Sequence, residues 1–212
     1  MKKFFLDLLD WIYKKKCYFC GNSKNSLKMC QKCYEKMDFT PYNANRIILG
    51  VNIYTCGYYR DVMQKLIRGL KYHNQKELAY YQAKFMWEYW EKLQIKDKFI
   101  VIPVPLSAKR KKKRKYNHME LVAQEFCKLS GFEYDFDLIK RIKDTKPQYN
   151  LKRKERMENL KNAFEVTKTT EKSILIIDDI CTTGSTFESM IIELHKKGIY
   201  NITCLATATV DF

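Results

Sequence analysis

The order of hydrophobic and polar positions divides the larger, second part of the chain into alternating strands and helices. Short apolar runs between polar residues predict strands, and apolar residues that recur every three or four positions predict helices. The predicted strands are 47–54, 99–102, 136–142, 163–166, 174–177 and 201–209. The predicted helices are 59–70, 76–93, 116–129 and 187–197. Such alternation is typical of a mostly parallel α/β sheet with right-handed crossovers.

The first 40 residues follow a different pattern. Apolar residues at helical spacing within positions 1–16, with Asp7 and Asp10 on the other face, predict an amphipathic helix. We expect this helix to dock on its own domain, although a helix that faces a partner or a membrane has the same pattern. The expected organisation is a helix and a small cysteine module over 1–40, and one α/β domain over 45–212.

The cysteine module contains two Cys-x2-Cys pairs, separated by the residues 21–29. Two such pairs can direct four thiolates at one metal ion, and this spacing predicts a structural zinc site with no open coordination position. A disulfide framework is the alternative, but no export signal supports it. The predicted ligands are Cys17, Cys20, Cys30 and Cys33.

Net charge changes the picture of possible partners. The chain of 212 residues carries a formal charge of +16, and the run 109–115 consists only of lysine and arginine. Basicity of this size indicates a polyanionic partner such as nucleic acid. A genome rich in A/T codons would also raise the lysine count, but it does not explain a run concentrated at one place. The predicted nucleic-acid contacts are Arg110, Lys111, Lys112, Lys113, Arg114 and Lys115.

The most informative stretch is 174–186, where four apolar residues, two acids and a loop of hydroxyl groups follow one another. The apolar residues predict a buried strand, and ligands of open α/β sheets bind at the carboxyl ends of strands. Backbone N–H groups at a helix N-terminus suit a phosphate, and paired acids suit sugar hydroxyls, directly or through a divalent metal. The P-loop spacing and the three glycines of the dinucleotide fingerprint are both absent. The predicted ligand is therefore a sugar phosphate.

This stretch resembles the phosphoribosyl-diphosphate (PRPP) motif of the type I phosphoribosyltransferases. Two other stretches narrow the resemblance: 102–106, with Arg110, Arg114, Tyr116 and Asn117 after it, and a spaced series that begins at Arg141 and ends at Phe164. Together with the four-cysteine module, they are similar to the ComF family of competence proteins over essentially the whole of 17–209. The family's usual Arg-Gly-Phe-Asn-Gln is replaced here by Arg-Lys-Tyr-Asn-His at 114–118.

The resemblance implies a type I phosphoribosyltransferase-like fold with a small N-terminal zinc ribbon. It implies that Asp178 and Asp179 hold the ribose hydroxyls and a magnesium ion, and that a polar loop over 143–159 closes on the diphosphate. The 5-phosphate would bind at Thr182, Thr183, Gly184, Ser185 and Thr186. The loop that meets the diphosphate would begin at Val104, Pro105 and Leu106.

The same resemblance implies a role in natural transformation, in which the protein handles incoming single-stranded DNA at the inner membrane with the DNA-uptake machinery. No apolar run is long enough to span a bilayer, so we expect a cytoplasmic protein that is at most peripheral to that membrane. A conventional phosphoribosyltransferase with an unidentified nitrogen acceptor is the alternative, and a scaffold with a degenerate site is a third. No catalytic residue stands out.

Several single residues carry smaller predictions. His118 lies beside the basic run, where it could touch phosphate, whereas Cys181 is expected to be packed or neutral and not to act as a nucleophile. Trp87 and Trp90 are expected in the core. Tyrosines interleaved with basic residues over 58–72 can bind single strands, although a half-buried helix has the same pattern.

Overall fold

The computed structural model describes residues 16–23, 28–42, 46–144 and 159–210, without the side chain of Lys113. The predicted N-terminal helix falls on 1–16 and lies almost wholly outside these ranges, as does most of the polar segment 143–159. The described strands are β1 (Arg46–Ile48), β2 (Val51–Tyr58), β3 (Phe99–Pro103), β4 (Glu133–Tyr134), β5 (Ile139–Arg141), β6 (Phe164–Val166), β7 (Ser173–Cys181) and β8 (Ile202–Thr209). The described helices are α1 (Gln31–Tyr34), α2 (Asp61–Tyr72), α3 (Leu78–Lys92), α4 (Ala108–Arg114), α5 (His118–Ser130) and α6 (Ser185–His195).

Six strands form one sheet in the order β1-β2-β8-β7-β3-β4. Every neighbouring pair in it is parallel except β1 and β2. Strand β7 lies between β8 and β3 and is covered on both faces, which explains why its sequence is apolar without alternation. Leu175 and Ile177 pack in the same core cluster as α2, α3 and α5, while Ile174 and Ile176 pack in the cluster that includes α6. The expected mostly parallel α/β sheet flanked by helices is confirmed.

The predicted strand 47–54 is interrupted by a hairpin turn, so that it covers the end of β1 and the first half of β2. Strands β1 and β2 are antiparallel and are joined by Leu49 and Gly50, both with positive φ (52° and 80°). A two-residue turn with positive φ at both positions matches the twist of the flanking strands. The apolar pattern continued through the turn because a leucine occupies its first position.

Two further elements differ from the sequence prediction. The basic run folds as the helix α4. This helix was not predicted, because the run has no apolar residues at helical spacing. It ends at Arg114, and the next residue, Lys115, has a left-handed φ of 66° at the position where the ComF pattern has glycine. The predicted strand 136–142 is shortened to β5, which pairs with β6 in a small antiparallel sheet, and the unpredicted β4 lies before it at the edge of the main sheet.

The cysteine module packs directly on α2 and α3. Its buried residues belong to the same core cluster as both helices. The ring of Phe39 stacks on Phe85 of α3 with a centroid distance of 4.3 Å, and the hydroxyl of Tyr34 donates to Glu88 at 2.8 Å. The module and the α/β domain therefore share one core over the described residues, and the division between 40 and 45 stays a prediction about chain organisation.

Candidate sugar-phosphate site and cysteine cluster

The loop after β7 is shaped around Gly184, directly before the first turn of α6. Gly184 has a φ of 80°, and a Cβ atom at this position would lie 2.4 Å from Cδ1 of Ile48. The hydroxyls of Thr183 and Ser185 are 2.7 Å apart, and Arg46 of β1 donates to the Thr182 carbonyl at 2.6 Å. The predicted phosphate residues thus form one turn at a helix N-terminus, the place where backbone N–H groups bind anions.

The loop after β3 begins beside the acid pair, because β3 and β7 are parallel neighbours with Pro103 opposite Ile177. The N–H group of Val104 donates to the Ile177 carbonyl at 2.9 Å. The side chain of Asn117 donates to the Val104 carbonyl at 3.3 Å and accepts from the N–H of Met119, which caps α5. The residues predicted to meet the diphosphate, Val104 to Leu106, therefore begin directly beside the acid pair.

The two acids differ in environment, since successive side chains of a strand point to opposite faces. Asp179 is buried between two partners: Lys71 Nζ lies 2.8 Å from its Oδ2, and His118 Nε2 lies 2.5 Å from the same atom. Burial alone would raise the pKa of Asp179, but Lys71 and His118 outweigh it and hold the pKa well below its usual range. Asp179 is therefore a fixed carboxylate within a buried ion pair.

His118 connects this ion pair to the basic helix. Burial lowers the pKa of His118 below its ordinary value, despite the neighbouring carboxylate, so the ring is neutral at pH 7. Arg114 can only donate, so Nδ1 accepts from its guanidinium at 3.4 Å and Nε2–H donates to Asp179. The expectation that His118 touches phosphate is not what the structure shows, because the ring is 98% buried, with only 2% of its surface exposed.

Asp178 is only half-buried, and one of its oxygens accepts the N–H of Asp179 at 2.8 Å. Burial, and then the negative charge of Asp179, raise the pKa of Asp178 to about 7. A carboxylate of raised pKa at the carboxyl end of a parallel strand is stabilised by any cation that binds there. Of the two acids, Asp178 is the one able to meet a ligand.

Three arginines surround the acids, and the basic helix has two different faces. Arg110 and Arg114, one turn apart, are half-buried toward the site, while Lys109, Lys111, Lys112 and Lys115 are exposed. Burial, and then the charge of Arg110, lower the pKa of Arg141 to about 10, against the opposing effect of Asp178. We call the exposed set Lys109, Lys111, Lys112 and Lys115 the lysine face.

No sequence pattern indicated a role for two of the residues beside the acid pair, Lys71 and Arg141. Lys71 was noted only as one basic residue among tyrosines, and its partner Asp179 is too distant along the chain for any local pattern to connect them. Arg141 opened a spaced series that was part of the resemblance, but no role was attached to it. Both were identified only by their place beside the acid pair.

The four predicted cysteines come together at one point. Their sulfur atoms all lie within 4.8 Å of one another, with Cys17 and Cys33 3.9 Å apart and Cys20 and Cys30 3.7 Å apart. Tetrahedral zinc–thiolate bonds of about 2.3 Å place sulfur atoms roughly 3.8 Å apart. The N–H of Cys30 donates to the sulfur of Cys17 at 3.4 Å. The cluster could hold a zinc ion.

The smaller predictions on core residues are confirmed. Cys181 is buried, and burial raises the pKa of its thiol to about 11, so it is not a thiolate at neutral pH. Trp90 is 2% exposed and meets Phe99 edge-to-face, with Trp87 in the same aromatic cluster. Among the described residues, none of the helices combines the length and the apolar character that crossing a bilayer requires.

Curated relatives cover most of the chain. "Competence protein F" of Haemophilus influenzae is 28% identical over 87% of this chain and 81% of its own length. "DNA utilization protein YhgH" of Escherichia coli O157:H7 is 28% identical over 86% of this chain and 78% of its own length. "Competence protein ComFC" of Bacillus subtilis is 25% identical over 86% and 72%. These relatives confirm the predicted resemblance to the ComF family of competence proteins. No family model matches the chain.

Two of the solved structures that align with this chain are phosphoribosyltransferases. A hypoxanthine phosphoribosyltransferase from Staphylococcus aureus is 14% identical over 62% of each chain, with a TM-score of 0.35. An adenine phosphoribosyltransferase from Thermoanaerobacter pseudethanolicus is 10% identical over 84% of this chain and 98% of its own, with a TM-score of 0.38. Likenesses of this size add nothing to what the strand order of the chain itself shows.

Proposed function

We propose that the protein binds PRPP at the carboxyl end of β7. The observation that carries this proposal is the turn 182–186, where a glycine that tolerates no Cβ opens the helix α6. A phosphate accepted by that turn would lie next to Asp178, with Arg110 and Arg141 close enough to act on the acid pair. Two basic groups beside a phosphate turn suit a ligand with a second, diphosphate group.

Magnesium fits the same site through Asp178. The ion prefers carboxylate oxygens and substrate phosphates, and it retains several waters. Burial, and then the charge of Asp179, raise the pKa of Asp178, so a bound cation would stabilise its ionised form. Asp178 would hold the ribose hydroxyls or the ion, while Asp179 is already held by Lys71 and His118.

We propose that the protein also handles single-stranded DNA in natural transformation, on the cytoplasmic side of the inner membrane. The names of the relatives refer to competence and to DNA utilization. The lysine face supplies exposed charge of the required sign, and a chain of +16 attracts polyanions in general. The third part of the proposal is a structural zinc ion bound by the cysteine cluster.

Calorimetry with PRPP and magnesium tests the first proposal. The intact protein should bind, and Asp178→Asn should weaken binding at least about tenfold, because a charged ligand group is lost. Glu165→Gln, an exposed acid on β6, is the matched control and should bind as the intact protein does. Failure of the intact protein to bind PRPP would contradict the proposal. Pyrophosphate release from PRPP with a panel of amines and bases would reveal the alternative, a conventional transferase.

Binding of single-stranded DNA at several salt concentrations tests the second proposal. The double variant Lys111→Gln/Lys112→Gln should reduce the slope of log K against log[salt] by roughly 1–2, since about 0.7 counterion is released per phosphate contact. Lys196→Gln/Lys197→Gln, at the end of α6, removes the same charge elsewhere on the surface. Equal slopes in both double variants would assign the lysine face to solubility alone.

A further inference from the structure

The last turn of α2 carries an exposed aromatic ring beside two guanidinium groups. The side chain of Tyr72 is 62% exposed. The guanidinium carbon of Arg68, one turn earlier on the same helix, lies 6.0 Å from the centroid of this ring, and that of Arg114 on α4 lies 5.3 Å from it. We call the surface formed by Arg68, Tyr72 and Arg114 the Tyr72 platform.

The Tyr72 platform lies at the rim of the candidate sugar-phosphate site. Lys71, the residue before Tyr72, forms the buried ion pair with Asp179. Arg114 reaches the same carboxylate through His118. A ligand on the platform would therefore lie close to the acid pair without occupying the turn that is proposed to hold the phosphate.

Several guanidinium groups lie around this ring, and among the described residues none of them forms a direct ion pair with a carboxylate. Arg110 adds a third guanidinium, and its pKa is lowered by burial and then by the charge of Arg114. In the part of the chain that the structure describes, no carboxylate lies within ion-pair distance of Arg68, Arg110 or Arg114. Like charges held together are unfavourable until an anion joins them, so the arrangement indicates an anionic ligand.

The exposed ring decides which kind of anion fits. Bases of unpaired nucleotides stack on aromatic rings and on guanidinium planes, whereas a duplex hides its base faces. We propose that the Tyr72 platform binds an unpaired nucleotide of single-stranded DNA, with its base on Tyr72 and the flanking phosphates on Arg68 and Arg114. This rests on the proposed handling of single-stranded DNA and assigns a binding site to it.

The lysine face extends the same path. Lys111 and Lys112 are exposed on α4, the helix that supplies Arg114. A strand bound at these lysines would continue along α4 to Arg114 and the ring of Tyr72. The strand would then lie next to a ligand in the candidate sugar-phosphate site.

Fluorescence anisotropy of the full chain with a labelled oligo(dT) of 20 nucleotides tests the proposal. Tyr72→Ala should weaken binding about 5- to 150-fold, the range that corresponds to loss of one stacked base. Tyr72→Phe should stay within about twofold of the intact protein, because the ring is retained. Arg68→Gln should reduce the salt slope by about 0.7. Tyr200→Ala, which removes a tyrosine that is 67% exposed elsewhere, is the matched control and should change nothing.

The outcomes separate this inference from the proposed function. If the intact protein binds the oligonucleotide and Tyr72→Ala binds it equally well, the platform is wrong and the DNA proposal stands. If the intact protein binds no oligonucleotide, both are wrong. If Tyr72→Ala weakened the binding of a duplex as much as that of a single strand of the same length, stacking of an unpaired base on Tyr72 would also be wrong. Tyr72→Ala should bind PRPP and magnesium as tightly as the intact protein does when measured by calorimetry. If the variant lost this binding and still bound DNA normally, the ring of Tyr72 would instead belong to the PRPP site.

Discussion

The cysteine cluster and the candidate sugar-phosphate site were both predicted from a short sequence motif, yet their residues are separated by very different distances along the chain. The outermost cysteines, Cys17 and Cys33, are 16 positions apart. In the sugar-phosphate site, His118 and Asp179 are 61 positions apart, and Arg46 and Thr182 are 136 apart. A local motif contains all of its ligands, whereas an edge of a parallel sheet collects side chains that no motif connects.

This difference determines what a substitution does. In the cysteine cluster every residue of the motif has the same role, so loss of any one should have the same effect. In the sugar-phosphate site two adjacent aspartates have separate roles, because one faces Lys71 and His118 and the other is half-open. The predictions below test that contrast, from the largest expected effect to the smallest.

The largest effect is expected from the cysteine cluster. Cys33→Ser should abolish metal binding and lower the free energy of unfolding by about 5 kcal/mol or more, because metal binding in such modules is folding free energy. The shared core with α2 and α3 should spread the loss beyond the module. Thermal unfolding with zinc analysis measures it, and Cys127→Ser, a buried cysteine outside the cluster, is the control. A Cys33→Ser protein that keeps its zinc and its Tm would contradict the role of the cluster.

The second effect concerns the ion pair. Lys71→Met should lower the free energy of unfolding at pH 7 by about 3–5 kcal/mol, because it leaves the buried Asp179 carboxylate without its cation. Lys128→Met, which breaks the exposed pair with Glu125, should cost under about 1 kcal/mol. Chemical denaturation compares them. The double variant Lys71→Met/Asp179→Leu should recover much of the loss, and a double variant no more stable than Lys71→Met would show that the pair is not what matters.

The third prediction compares two glycines that both have positive φ. Gly184→Ala and Gly198→Ala both place a side chain in the left-handed region, but only at Gly184 does the new Cβ meet another atom. We expect Gly184→Ala to lower the free energy of unfolding by about 1–3 kcal/mol more than Gly198→Ala, through overpacking against Ile48. PRPP binding should fall in the first variant only. Equal losses in both would mean that Ile48 can move aside.

The smallest effect depends on pH and separates the two acids. The pKa of Asp178 is raised from 3.8 to about 7, so its stabilising contribution is present below pH 4 and is lost as the pH rises through 7. Asp178→Asn removes that dependence. At pH 8 without ligand, Asp178→Asn should therefore be more stable than the intact protein by about 1–2 kcal/mol, and the difference should shrink toward pH 5.

The opposite sign is expected for Asp179. Its lowered pKa contributes stability above the ordinary carboxylate pKa, and that stability is lost only as the pH falls through the lowered value. Asp179→Asn should thus be less stable than the intact protein at pH 8. Unfolding curves for both variants at pH 5 and pH 8 make the comparison. Parallel behaviour of the two variants would remove the distinction drawn between the acids.

Prediction from sequence succeeded where neighbouring residues determine the structure. The strand 174–177 and the two Cys-x2-Cys pairs were predicted because an apolar run and a ligand spacing are each contained within a few residues. It failed at Leu49, where a turn interrupts an apolar run, and at α4, where charge conceals a helix. It also gave both aspartates one role, since adjacency in sequence does not show that a strand turns them to opposite faces.

The sequence by itself determined the mostly parallel α/β class, the four cysteines that meet, and the place of the turn 182–186 between a strand and a helix. Only the tertiary structure decided which acid is open to a ligand, because Lys71 and His118 reach Asp179 from other elements. It also divided the basic run into Arg110 and Arg114 toward the site and lysines toward solvent. The physical reason is that burial and pairing depend on which helices pack over the sheet, and no local pattern contains that information.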